Sequence, residues 1–88
     1  MKIYFVYILR CSDSTYYTGM TSNLEKRLFE HNTGKHKESY TYFRRPVSMV
    51  FYAQFTEPNK AIEVEKQIKK WSRAKKEALV NNQFDKLP

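Results

Sequence analysis

The 88-residue chain is expected to fold as an α+β domain: a three-stranded antiparallel sheet flanked by helices, in the order β-β-α-β-α-α. Three observations carry that expectation. The early run Ile3-Tyr4-Phe5-Val6-Tyr7-Ile8-Leu9 is apolar on both parities and rich in β-branched and aromatic residues, as a strand covered on both faces would be. Two later stretches carry apolar residues at helical spacing. Turn chemistry separates the segments.

The early run belongs at the sheet centre, because only a central strand needs two apolar faces. Ser12-Asp13-Ser14 then turns the chain, and residues 15–19 return as the second strand of a hairpin. Gly19 is expected to end that strand at a point where backbone could approach a ligand. Ser22, followed three positions later by Glu25, has the capping-box pattern, so a helix is expected over 23–32 and a stop near Gly34. Residues 35–45 interleave Tyr40, Tyr42 and Phe43 with basic residues and show no clear period, which reads as a surface loop. Beyond Pro46, residues 47–55 make a third strand. Pro58 suits the first turn of a helix running to Trp71, and a last short helix covers 73–81.

At this length the expected organisation is one domain over 1–88, burying roughly 60% of its unfolded surface, so a polar residue turned inward needs a reason. Sixteen Lys and Arg against nine Asp and Glu give a net charge of +7, with a pI near 9.6. Such a balance favours polyanionic partners, nucleic acid first and an anionic membrane surface second. The single cysteine, Cys11, excludes an internal disulfide and a Cys-based zinc cluster, and fits a reducing, cytoplasmic location. The apolar start is seven residues long, too short for a membrane span, and lacks a small-residue cleavage site.

On the first helix Leu24, Arg27, Leu28 and His31 share one stripe, whereas Glu25, Lys26 and Glu30 point elsewhere. An inward arginine must pair with a carboxylate, open into a polar cleft, or snorkel along the core edge. Taken alone, His31 reads as a histidine favoured by the helix C-terminus. On the second long helix Ala61, Val64, Ile68 and Trp71 form the apolar stripe, and Glu65 lies within about 40° to 100° of its members while Glu63 lies opposite. Just after Glu65 come six cations with no acid among them: Lys66, Lys69, Lys70, Arg73, Lys75 and Lys76. One carboxylate with open coordination positions suits a Mg²⁺ ion set against phosphate; the plainer reading is an ion pair with a lysine or with Arg27. Tyr7 and Tyr17, on paired strands, can both project towards the helix that carries Arg27. Phosphodiester hydrolysis needs a proton acceptor, a cation for the charge on phosphorus and a metal for the leaving oxygen, and this set contains each.

Read in order, these residues resemble the GIY-YIG endonuclease superfamily, most closely its small single-domain bacterial branch. Phe5-Val6-Tyr7 stands where the first tripeptide falls, with Phe5 in place of glycine. Tyr17-Thr18-Gly19 stands where the second falls, with Thr18 in place of isoleucine. Leu24, Arg27 and His31 match the helix that follows, and AIEVEKQIKKW from Ala61 to Trp71 is similar to the family's metal-glutamate helix. The resemblance implies that Tyr7, supported by Tyr17, acts on the attacking water. It implies further that Arg27 steadies the scissile phosphate, His31 assists proton traffic, and Glu65 holds one Mg²⁺ (or Mn²⁺) ion. The resulting expectation is a metal-dependent DNA endonuclease, selective for structure or of low sequence specificity. Lys35, Lys37, Arg44, Arg45 and the run from Lys66 to Lys76 would hold the nucleic-acid backbone. DNA is favoured over RNA, and a larger repair complex is a candidate partner. The alternative is a non-catalytic nucleic-acid-binding module in a repair or RNA-related complex. A purely structural domain would instead require an internal Arg27–Glu65 pair.

Overall fold

A computed structural model describes residues 2–81. The elements follow the expected order: β1 (Tyr4–Arg10), β2 (Tyr16–Thr21), α1 (Leu24–Thr33), a single 3₁₀ turn (Tyr42–Arg44), β3 (Ser48–Phe55), α2 (Pro58–Lys69) and α3 (Arg73–Val80). The sheet is antiparallel throughout, in the order β2-β1-β3. β1 is therefore central, as its two apolar faces require, and Val6, Tyr7, Ile8 and Leu9 are all 0% exposed.

Alternation along β1 divides these residues between two clusters. Val6 and Ile8 pack with Ala61 and Ile68 of α2 and Leu79 of α3, while Tyr7 and Leu9 pack with Cys11, Val47 and the α1 residues Leu24 and Leu28. The helices thus cover opposite faces of the central strand. In the register that results, Tyr7 lies opposite Gly19 on β2 and Tyr52 on β3.

Several boundaries differ from the sequence reading, each for a local reason. The N-cap of α1 is Asn23, not Ser22: its side chain accepts from the Lys26 amide at 3.1 Å. The Thr21 hydroxyl sets this position by accepting from the Asn23 amide and donating to the Asn23 carbonyl. Gly34 does end the helix, in the left-handed conformation (φ 75°) that suits glycine. β2 runs past Gly19 to Thr21. α2 stops at Lys69, so Trp71 lies in the connection to α3 and still packs against the aliphatic cluster. Residues 35–45 are more than a surface loop, because Thr41 within them is 1% exposed.

Candidate functional site

The site is built around the Tyr7 hydroxyl, which β1 holds against β2. A Cβ placed on Gly19 would lie 2.5 Å from that hydroxyl oxygen and 2.6 Å from Cζ. The space on the Cβ side of this glycine is filled by the end of the Tyr7 ring. The hydroxyl lies 3.2 Å from His31 Nε2 on α1. His31 Nδ1 in turn lies 2.7 Å from Thr41 Oγ1, and Ser39 Oγ is 3.1 Å beyond. All three central groups are sealed, His31 at 4% exposure and Tyr7 and Thr41 at 0% and 1%. The half-buried Tyr17 ring leans on the same imidazole, 5.2 Å between centroids, and lies 6.4 Å from the Tyr7 ring.

Burial and then the neighbouring Tyr17 push the Tyr7 hydroxyl well above the usual tyrosine range, against the opposing pull of the Arg27 guanidinium. Burial, with Arg27 and His36 adding to it, holds His31 below the ordinary histidine value, and Glu30 opposes them. A neutral imidazole hydrogen-bonded to a neutral phenol is what these shifts maintain.

Arg27 has two surroundings at once. Its Nε lies 3.5 Å from Glu30 Oε1, and it lines a cleft of about 290 Å³ with Thr21, Ser22, Asn23, Lys26 and Glu30. Glu30, expected to point away, is 9% exposed and also meets Lys35 Nζ at 3.0 Å and His36 Nε2 at 3.5 Å. The reason is geometric: a residue three places after Arg27 is its neighbour on the helix surface. The Lys35 hydrogen bond, against the cost of burial and with help from His36, holds the Glu30 carboxyl below its usual range. Glu65 on α2 lies 3.5 Å from Lys69 Nζ, with its side chain 19% exposed. Its charge is the least of the causes that raise the Tyr7 hydroxyl, and the Arg27 guanidinium opposes that rise. Guanidinium and carboxylate stand on helices that cover opposite faces of the sheet, and each has its ion pair there, with Glu30 and with Lys69.

Among the described residues no three His, Cys, Asp or Glu side chains gather into a metal cage. The donor set does fit a Mg²⁺-type ion, which takes one or two carboxylates and fills its remaining positions with water and substrate phosphate. Glu65, partly open and paired only at 3.5 Å, has oxygen lone pairs to offer.

Most of the predicted backbone-binding cations have partners within the fold. Arg44 pairs with Asp13 at 3.1 Å and lies 3.8 Å above the Tyr40 ring centroid. Arg45 donates to the Tyr42 carbonyl at 2.7 Å and stacks over that ring. Arg73 pairs with Glu77 at 3.1 Å and approaches the Tyr16 ring, and Lys75 lies over Trp71. Lys35 is held by Glu30 and Lys69 by Glu65. Lys37, Lys66 and Lys70 are exposed, and Lys76 is half-buried, its ammonium lowered from the usual lysine range by that burial. Surface pairs of this kind add little stability, so the arginines and lysines remain available to exchange an internal partner for a phosphate.

Sequence reasoning passed over Thr41, Tyr40 and Glu30. An i,i+3 charge pair on one helix was the signal available for Glu30. For the other two the aperiodic stretch gave none.

Comparison with known proteins places this geometry in context. A family model described as the GIY-YIG catalytic domain matches residues 3–78. The chain is 47% identical over 83 residues to a UPF0213 protein of Syntrophus aciditrophicus, covering 94% of this chain and 95% of that one. It is 46% identical over 77 residues to a UPF0213 protein of Natronomonas pharaonis, covering 88% and 89%. Two solution NMR structures share its architecture. A UPF0213 protein from Bacillus halodurans has TM-score 0.59 at 38% identity, covering 90% of this chain and 83% of that one. A protein from E. faecalis has TM-score 0.65 at 33% identity, covering 100% and 93%.

Proposed function

This chain belongs to the GIY-YIG catalytic domain family, and on that premise we propose that it is a metal-dependent endonuclease that hydrolyses phosphodiester bonds in DNA, selecting structure more than sequence. The observation that supports the reading best is the buried contact between the Tyr7 hydroxyl and His31 Nε2 at 3.2 Å, a polar pair that packing alone does not need.

Tyr7 is the proposed proton acceptor because it has a base behind it. With its hydroxyl so far above the usual range, Tyr7 accepts a proton only as it gives its own to His31 Nε2, which depressed basicity keeps neutral and free to receive. That requires the tautomer in which Nδ1–H donates to Thr41 Oγ1, and the 2.7 Å contact is short enough to hold it. Thr41 is thus a positioning residue for the imidazole. Tyr7 is sealed and Tyr17 is half-buried, so in this reading the Tyr17 hydroxyl meets the water and takes its proton as it gives its own to Tyr7, which in the same relay gives one to His31 Nε2. Arg27, at the mouth of its cleft, exchanges Glu30 for the scissile phosphate and bears the charge that grows on it. Glu65 would hold one Mg²⁺ or Mn²⁺, whose chemistry when bound is to counter charge on the phosphate and its leaving oxygen.

No helix among the described residues is long and apolar enough to cross a membrane, and the buried free Cys11 suits a reducing cytoplasm. The test uses labelled linear, nicked, flapped and branched DNA with Mg²⁺ or Mn²⁺. Arg27→Ala and Glu65→Ala should each lower cleavage by roughly a hundredfold or more. Cleavage untouched by both changes, or dependent on neither metal, would overturn the reading; firm DNA binding without cleavage would favour the non-catalytic module.

A further inference from the structure

β2 is an edge strand. Along it opens a cleft of about 310 Å³ lined by Tyr16, Tyr17, Thr18, Tyr40, Lys69 and Lys76. Three aromatic rings, two ammonium groups and no carboxylate make a lining suited to something flat and anionic. Tyr40 is 43% exposed. Its ring lies 21° from parallel to Tyr17 with centroids 6.3 Å apart, and the Arg44 guanidinium adds positive charge against it. Lys76 is half-buried and its ammonium correspondingly less at ease with its charge, which an incoming anion would relieve.

Thr18 supplies an independent observation. It is 3% exposed, and its Oγ1 is buried with no hydrogen-bond partner among the described residues. Opposite it on β1 stands Ile8, which has no side-chain polar atom to offer. Buried hydroxyls are almost always paired, so one left over in the lining of a cleft has a hydrogen bond to give an incoming group once the side chains over it part. Packing explains the half-buried Tyr16 and Tyr17 without further help. It explains neither the exposed Tyr40 ring nor the Thr18 hydroxyl.

We infer that this cleft is a subsite for one unpaired nucleotide of the substrate strand, its base against Tyr17 and Tyr40, its edge turned to Thr18 Oγ1 and its phosphate met by Lys69 and Lys76. Resting on the nuclease reading, this names its substrate class: DNA unpaired beside the cut. The cleft adjoins the reacting centre, because Lys69 pairs with Glu65. A base inside a duplex has both faces stacked and its pairing edge occupied, so it has neither surface to give. Stacking on aromatic rings needs no particular base, in keeping with low sequence specificity.

Binding measured without divalent metal tests this separately from cleavage. The probe is a DNA strand of about 12 nucleotides, within the usual site sizes of single-strand binders, carrying 2-aminopurine, used alone and annealed to its complement. The wild-type chain should bind the single strand about tenfold more tightly than the duplex and quench the reporter base. Tyr40→Leu should weaken single-strand binding about tenfold, and Thr18→Val, equal in shape but without the hydroxyl, about threefold to tenfold. Neither should alter duplex binding, and a thermal melt checks that both variants are folded. Equal affinity for strand and duplex, or wild-type single-strand binding by both folded variants, would overturn the subsite. Single-strand preference with no cleavage in Mg²⁺ would instead remove the nuclease reading and leave the subsite standing.

Discussion

The two faces of β1 are sealed equally and used differently. Val6 and Ile8 on one side, Tyr7 and Leu9 on the other, are all 0% exposed. Val6 and Ile8 meet a largely aliphatic cluster from α2 and α3, where any well-filled arrangement of similar volume would serve. Tyr7 carries a hydroxyl into a line of polar groups, His31, Thr41 and Ser39, reached through α1 and the 35–45 stretch. Burial by itself therefore does not separate core from site. What separates them is whether the buried atoms must keep one particular hydrogen-bonded geometry.

The strongest way to break this comparison is to cut each face once. Ile8→Ala should destabilise the fold by about 2–5 kcal/mol, the cost of a core cavity, while molecules that remain folded keep their cleavage rate. Tyr7→Phe should do the reverse, costing about 1 kcal/mol of stability and lowering the rate by roughly a hundredfold or more. Chemical denaturation and cleavage assays on the same preparations decide it. If Tyr7→Phe cleaved normally, the polar face would be only a second core.

A smaller effect sharpens how the faces are joined through β2. Gly19→Ala forces a Cβ against the Tyr7 ring end, at 2.5 Å from the hydroxyl oxygen and 2.6 Å from Cζ. The expected cost is about 1–3 kcal/mol of overpacking strain. Combined with Tyr7→Phe, part of that cost should disappear, because the oxygen is gone while Cζ remains. Strict additivity of the two changes would mean that the chain relieves the contact by moving β2 and not the ring.

The aliphatic face was almost fully legible in the sequence, and the polar face only in part. Apolar runs of either period announce themselves, so β1 and the Ala61–Val64–Ile68 stripe of α2 needed no further information. Arg27 and His31 were placed on one helix by spacing, and the tripeptide resemblance singled out Tyr7 and Tyr17. The rest depended on long-range closure that no local pattern encodes. Thr41 becomes the partner of His31 only because an aperiodic stretch folds back across the end of α1. Asn23 displaced Ser22 as the cap through a single hydroxyl contact from Thr21, a margin too small for pattern reading to resolve. Glu30 lies off the inward stripe, yet Arg27, Lys35 and His36 gather around its carboxylate at the helix edge.

The smallest effect concerns the seam where the polar face meets charge. His31 is held by burial below its ordinary value of 6.5, so from about pH 6.5 downwards the unfolded chain binds a proton that the folded chain refuses. Stability then falls as pH falls, by at most about 1.4 kcal/mol per pH unit, until the folded imidazole also protonates. Cleavage should decline over the same range, because a protonated His31 cannot accept from Tyr7. Glu30 acts lower down: its carboxyl is depressed from 4.5, so its contribution is present above that value and is lost as pH falls through the folded one. The two windows are separable by substitution. Thermal midpoints followed from neutral pH into the acid range should lose their upper slope in His31→Gln and keep it in Glu30→Gln. A wild-type midpoint that stays flat across the upper window would show that the imidazole is not sealed, and the polar face would lose the feature that sets it apart from an ordinary protein surface.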